Sequence, residues 1–130
     1  MISARWWKGR TGTMLLENSP LTAEIYDLLY RLGVSAESVA FFHTAYAVRL
    51  AVEQPQMLLL VTKWLYPEVA RHYHTNWKAV ERNIRRVVAA AWKHDPALLC
   101  ALARGPLPGR PVPAQFLSIL AAYFTDGSAA

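Results

Sequence analysis

Pro67-Glu68-Val69-Ala70-Arg71-His72-Tyr73, then His74-Thr75-Asn76, then Trp77-Lys78-Ala79-Val80-Glu81-Arg82-Asn83-Ile84-Arg85-Arg86-Val87-Val88 is the stretch on which the fold turns. Proline is tolerated in the first turn of a helix, where its missing N–H would have no partner anyway, so a short helix runs from Pro67 to Tyr73. His74-Thr75-Asn76 reads as a turn, with Thr75 or Asn76 placed to cap a second helix over residues 77–93. Winding that helix at about 100° per residue puts Trp77, Val80, Ile84, Val87, Val88 and Ala91 on one face. Lys78, Arg82, Arg85, Arg86 and Lys93 gather roughly opposite. Two helices joined by a short turn, the second one amphipathic, make a helix-turn-helix arrangement. Ala70 is small where two crossing helices approach closely, and Val80 supplies the apolar contact from the second helix. His74 stands where such a turn calls for positive φ, a conformation that His tolerates better than a β-branched residue does.

Charge marks the same region. Between Lys63 and Lys93 there are seven bases and two acids, while the rest of the chain balances at seven against seven. The whole net charge of +5 therefore lies in one quarter of the sequence, which suggests a polyanionic partner. A helix with an apolar inner face and bases outside fits the major groove of DNA, where Arg or Lys bridges guanine O6 and N7. The plainer alternative is that the bases only face water.

Working outward, Ser19-Pro20 starts a helix marked by Leu21, Ile25, Leu28, Leu29 and Leu32, and Gly33 ends it. Ser35 is the expected cap of the next helix, with a stripe of Val39, Phe42, Tyr46 and Leu50 running to about Gln54. A short apolar helix is expected from Met57 to Leu65. Downstream, Asp95-Pro96 opens a short helix through Ala103. Gly105, Pro106, Pro108, Gly109, Pro111 and Pro113 mark a loop, and Gln115 to Phe124 forms a last amphipathic helix. No strand pattern emerges, so the class is all-α. The expected domains are a basic, Trp-containing flexible tail over 1–19, a helical domain over 20–125 and a disordered C-terminus over 126–130.

Other signals have bland readings. His72 and His74 stand two apart, a spacing that diverges on a helix, and with His94 they do not make up a four-ligand set, so no metal is expected. Trp64, Trp77 and Trp92 lie on or beside apolar stripes and are expected in the core, although Trp77 is also placed to pack on a sugar-phosphate backbone. The tail segment Arg5-Trp6-Trp7-Lys8-Gly9-Arg10 suits an accessory DNA arm, a membrane-surface anchor or neither. No apolar run approaches the ~20 residues of a membrane span, and no secretory signal is visible. The single cysteine, Cys100, fits a reducing compartment, and a cytoplasmic location is expected. No catalytic constellation and no glycine-rich phosphate loop is present, so neither enzyme activity nor a cofactor is expected.

Val61-Thr62-Lys63-Trp64-Leu65-Tyr66-Pro67-Glu68-Val69-Ala70-Arg71-His72-Tyr73 resembles the C-terminal effector domain of the sporulation initiation response regulator. Val80-Glu81-Arg82-Asn83-Ile84-Arg85 followed by Ala91-Trp92 continues the resemblance. Leu32-Gly33-Val34 and Pro113 to Leu120, with Phe116, extend it more weakly, so that it covers roughly residues 21–124. It implies a six-helix bundle containing a helix-turn-helix that binds promoter boxes in double-stranded DNA, often as tandem copies, and contacts RNA polymerase. It further implies that Glu81 and Arg82 face base edges, while Lys63 and Arg85 hold phosphate; Lys78 is expected to help at the bases. Arg71, Thr75, Asn76 and Arg86 are expected to add phosphate contacts.

Two departures bear on the reading. The family usually carries a second arginine where this chain has Ala79, and a lost guanine contact costs ~1–3 kcal/mol of discrimination. Ala79 favours an alternative, a protein-interaction module that binds a regulator or RNA polymerase without specific DNA readout. Arg82, Arg85 and the basic patch favour DNA. The second departure is that no receiver domain precedes the first helix, so phosphorylation in cis is not the expected switch; the protein is expected to be constitutive or controlled by expression level or a partner, with competition for shared boxes a further hypothesis.

Overall fold

The computed structural model describes residues 19–127, which form an all-α bundle of six α-helices. Helix α1, Pro20–Arg31, starts where the Ser19 hydroxyl accepts from the Thr22 N–H at 3.2 Å. It ends in a reversal at Gly33, whose φ of 85° lies in the left-handed region. A side chain there would also collide with the His94 ring, so Gly33 is required twice, by its dihedral and by close approach to another helix.

Helix α2, Val39–Glu53, differs from the expectation in two ways. Its cap is Ser38, whose hydroxyl accepts from the Phe41 N–H at 3.1 Å. Ser35 instead shapes the preceding turn, accepting at its hydroxyl from the Glu37 N–H and at its carbonyl from the Ser38 hydroxyl. The anticipated stripe holds only in part: Leu50 is buried and Phe42 and Tyr46 are partly buried, but Val39 is 62% exposed, and Phe41, Thr44, Ala45, Ala47, Val48 and Ala51 outside it are buried. The cause is enclosure. Helices α1, α4 and α6 all pack on α2, so residues of nearly every phase meet protein and no single stripe forms.

The segment expected as one helix over 57–65 is a 3-10 turn, Pro55–Leu60, followed by a π turn, Val61–Leu65. Leu60 breaks it with φ −143° and ψ 78°, dihedrals outside the helical region. Leu59 and Leu60 are left exposed. Helix α3, Tyr66–His72, carries Pro67 in its first turn, as expected. Helix α4, Trp77–His94, is the longest. Asp95 then caps α5, Pro96–Leu102, accepting from the Leu98 N–H at 3.0 Å. After the loop, α6, Pro113–Ala122, leads into a π turn, Tyr123–Gly127. The last helix thus begins at Pro113, two residues ahead of the expected Gln115. The expected tail over residues 1–19 falls, Ser19 apart, outside the described residues, as do residues 128–130.

One core unites these elements. Leu28 and Leu29 of α1, Val48 of α2, Val69 of α3, Ile84 and Val88 of α4, and Phe116 and Leu120 of α6 are all buried together. Each such side chain contributes ~1.5–3 kcal/mol by leaving water. Because α4 lends this core only one side, its other side is free to carry charge.

Candidate nucleic-acid interface

Helices α3 and α4 meet through a tightly specified turn. The Thr75 N–H donates to the Ala70 carbonyl at 2.9 Å, and the His74 N–H donates to the Arg71 carbonyl at 3.4 Å. That pair of bonds closes α3 in a Schellman motif, which needs a left-handed residue at its hinge. His74 supplies it with φ 57°, as the sequence predicts for that position. Of the two candidate caps, Asn76 is the one used, its Oδ1 accepting from the Ala79 N–H at 2.9 Å. Ala70 and Val80 are both buried where α3 packs on α4.

Helix α4 divides cleanly. Val80, Ile84, Val87, Val88 and Ala91 are buried, whereas Lys78, Arg82, Arg85, Arg86 and Lys93 are exposed. Lys63, in the π turn before α3, is exposed as well. The bases are not equivalent. Arg71 is held by Glu68, donating from Nε to Oε1 at 3.1 Å and pairing a second time through Nη2. This hydrogen-bonded carboxylate raises the Arg71 pKa above its ordinary value. Arg85 lies 3.7 Å from the Glu81 carboxylate one helical turn earlier. Among the described residues, no carboxylate comes within ion-pairing distance of Lys63, Lys78, Arg82, Arg86 or Lys93. Lys78 leans instead over the Trp77 ring, 5.9 Å from its centroid.

Glu81 has a further neighbour. The Tyr66 hydroxyl is pushed up to about 12, first by burial and then by the Glu81 carboxylate, with Arg85 opposing. Glu81 is thus part of a Tyr66–Glu81–Arg85 set that joins α3 to α4, and its side chain is only partly open to solvent.

The tryptophans depart from the expectation. Trp64 is 41% exposed, Trp77 is 37% exposed and Trp92 is half-buried, so none of the three is a core residue. Each sits at the edge of an apolar stripe, and an indole is too large to be covered there by one neighbouring helix. A buried histidine and its half-buried asparagine partner went unnoticed in the sequence. His43 of α2 is 2% exposed and accepts at Nδ1 from the Asn83 amide of α4 at 3.2 Å. The only signal was a histidine inside an otherwise apolar helix and an asparagine directly after Arg82.

Among the described residues no group of three or more His, Cys, Asp and Glu could hold a metal ion. No helix among them is long and apolar enough to cross a membrane.

A basic helix packed by its apolar face into an all-α bundle is the form of a DNA-binding effector domain. The family model for the sporulation initiation factor Spo0A C terminal matches residues 25–123, a span that touches all six helices. The chain belongs to this family of non-catalytic, sequence-specific DNA-binding transcriptional effector domains.

Proposed function

We propose that α3, the His74–Asn76 turn and α4 act as a helix-turn-helix that sets the first half of α4 in the major groove of promoter DNA. The observation that carries this reading is the exposed set Lys78, Arg82 and Arg86 on α4, none with a carboxylate partner among the described residues, in a chain of a DNA-binding family. Arg82 reads a base edge, with Lys78 beside it. Glu81 is placed to accept from a base amino group only if its pairing with Arg85 allows, since both claims fall on one carboxylate. Arg86, Arg85 and Lys63 attract phosphate, and the N-terminal end of α4, with Thr75 and Asn76 ahead of it, favours an anion there. Arg71 joins them by exchanging Glu68 for phosphate. A second copy in tandem and RNA polymerase are the further partners, in the cytoplasm.

The test separates reading from attraction. Arg82→Ala should weaken a preferred duplex by about 5–100-fold while leaving random DNA nearly unchanged. Lys93→Ala should weaken both alike and flatten the salt dependence. Equal losses on both duplexes for Arg82→Ala would overturn the assignment of that residue to a base.

A further inference from the structure

The buried contact between His43 and Asn83 has no place in the basic face, yet it lies directly behind it. His43 sits in α2, the helix that the others surround, and is almost wholly inaccessible. The Asn83 amide donates to its Nδ1 at 3.2 Å across forty positions of sequence. The His43 ring also lies against Tyr73, at 5.0 Å between centroids, and Tyr73 is the residue on which α3 ends before the turn. Tyr73 in turn reaches the Phe42 carbonyl through its hydroxyl at 3.5 Å. One side chain of α2 therefore touches both the end of α3 and the middle of α4.

We propose that His43 and Asn83 are positioning residues for DNA reading: their hydrogen bond fixes the rotation of α4 about its own axis, and so the direction in which Arg82 and Lys78 point. This rests on the reading of α4 as the recognition helix. The apolar contacts of Val80, Ile84 and Val87 hold α4 to the core but are non-directional, and they tolerate a small roll. A hydrogen bond does not, because it weakens steeply with angle. A roll of about 20° at the helix's outer radius of about 5–6 Å moves a side-chain tip by roughly 2 Å. That displacement is enough to lose a bidentate base contact, whereas a phosphate attraction survives it. A buried polar pair used this way sets geometry rather than adding stability, as a buried asparagine does in coiled coils. Burial also lowers the His43 pKa, which favours the neutral ring, and the Nε2–H tautomer of that ring leaves Nδ1 free to accept from Asn83.

The discriminating variant is His43→Phe with Asn83→Leu, since replacing both partners by apolar groups leaves no buried polar atom behind. It should melt at or above the parental temperature. Its preference for the duplex most enriched from a random pool, over a scrambled duplex, should fall on the order of tenfold, with scrambled binding unchanged. His43→Gln, whose side-chain oxygen can accept from Asn83, should restore most of the preference. If the double variant does not fold, Asn83→Ala carries the same expectation, because Asn83 is only half-buried. A folded variant with parental preference would overturn the proposal and leave the recognition helix standing. A parent that prefers no duplex would overturn the reading of α4, and the positioning role with it.

Discussion

Helices α2 and α4 are the two longest of the bundle and teach opposite lessons. Helix α4 has one buried face and one charged face, and its residues sort onto them as an ideal helical wheel predicts. Helix α2 is enclosed, buries even His43 and Arg49, and shows no single stripe. A helix at the edge of a core advertises its orientation in its sequence, because one side must suit water. A helix at the centre does not, since every side must suit protein. The proposed DNA-reading surface belongs to the first kind and its support to the second.

Substitutions sharpen that contrast. Val48 faces the middle of the bundle with no exposure, so Val48→Asp buries an unpaired carboxylate and should remove more than ~4 kcal/mol, most of a small domain's stability. Arg86→Ala on the outer face of α4 should shift stability by less than about 0.5 kcal/mol. Thermal melts followed by circular dichroism check both, and a folded Val48→Asp protein would break the comparison.

The junction of α3 with α4 gives a smaller, pH-dependent effect. Tyr66 ionises at about 12 in the folded domain and near 10.0 when unfolded. The folded state therefore holds the proton more tightly. The corresponding stability is complete below pH ~10 and is lost as pH rises towards 12. Denaturant melts of the parent should show that decline, and Tyr66→Phe should reduce it. An unchanged slope would remove Tyr66 from the account.

The turn gives a further, local effect. A non-glycine residue in the left-handed region costs roughly 1–2 kcal/mol, less for residues with short polar side chains. His74→Gly should therefore stabilise by up to about 1 kcal/mol, and His74→Val should destabilise by more than that. The order of the three melting temperatures is the measurement.

Much of the local geometry of the candidate site was legible from sequence because its determinants are local. Pro67 in a first turn, His74 at positive φ, the Asn76 cap and the two faces of α4 follow from residue chemistry at fixed spacing. What was not legible depends on side-chain rotamers, on which of two near-equivalent local choices the fold takes, or on tertiary neighbours. Ser38 rather than Ser35 begins α2, and both offer the same hydroxyl three residues apart. Leu58, Leu59 and Leu60 look apolar enough for a helix, yet the chain breaks at Leu60 and leaves two of them in water. The pairing of Arg71 with Glu68 and of Arg85 with Glu81 splits a basic patch that looks uniform in the sequence. Side-chain rotamers, not spacing alone, decide which bases remain unpaired. The contact between His43 and Asn83 is wholly tertiary, and nothing local announces it.

The central claim is that α4 reads sequence rather than merely attracting phosphate. Selection of bound molecules from a pool of random duplexes, at near-physiological salt, tests it most directly. Enrichment of a short motif is the predicted result, with relaxed preference at the base pair opposite Ala79 and a strict one opposite Arg82. Salt-sensitive binding without any enriched motif would contradict the claim, because the phosphate contacts alone would then account for every base on the helix.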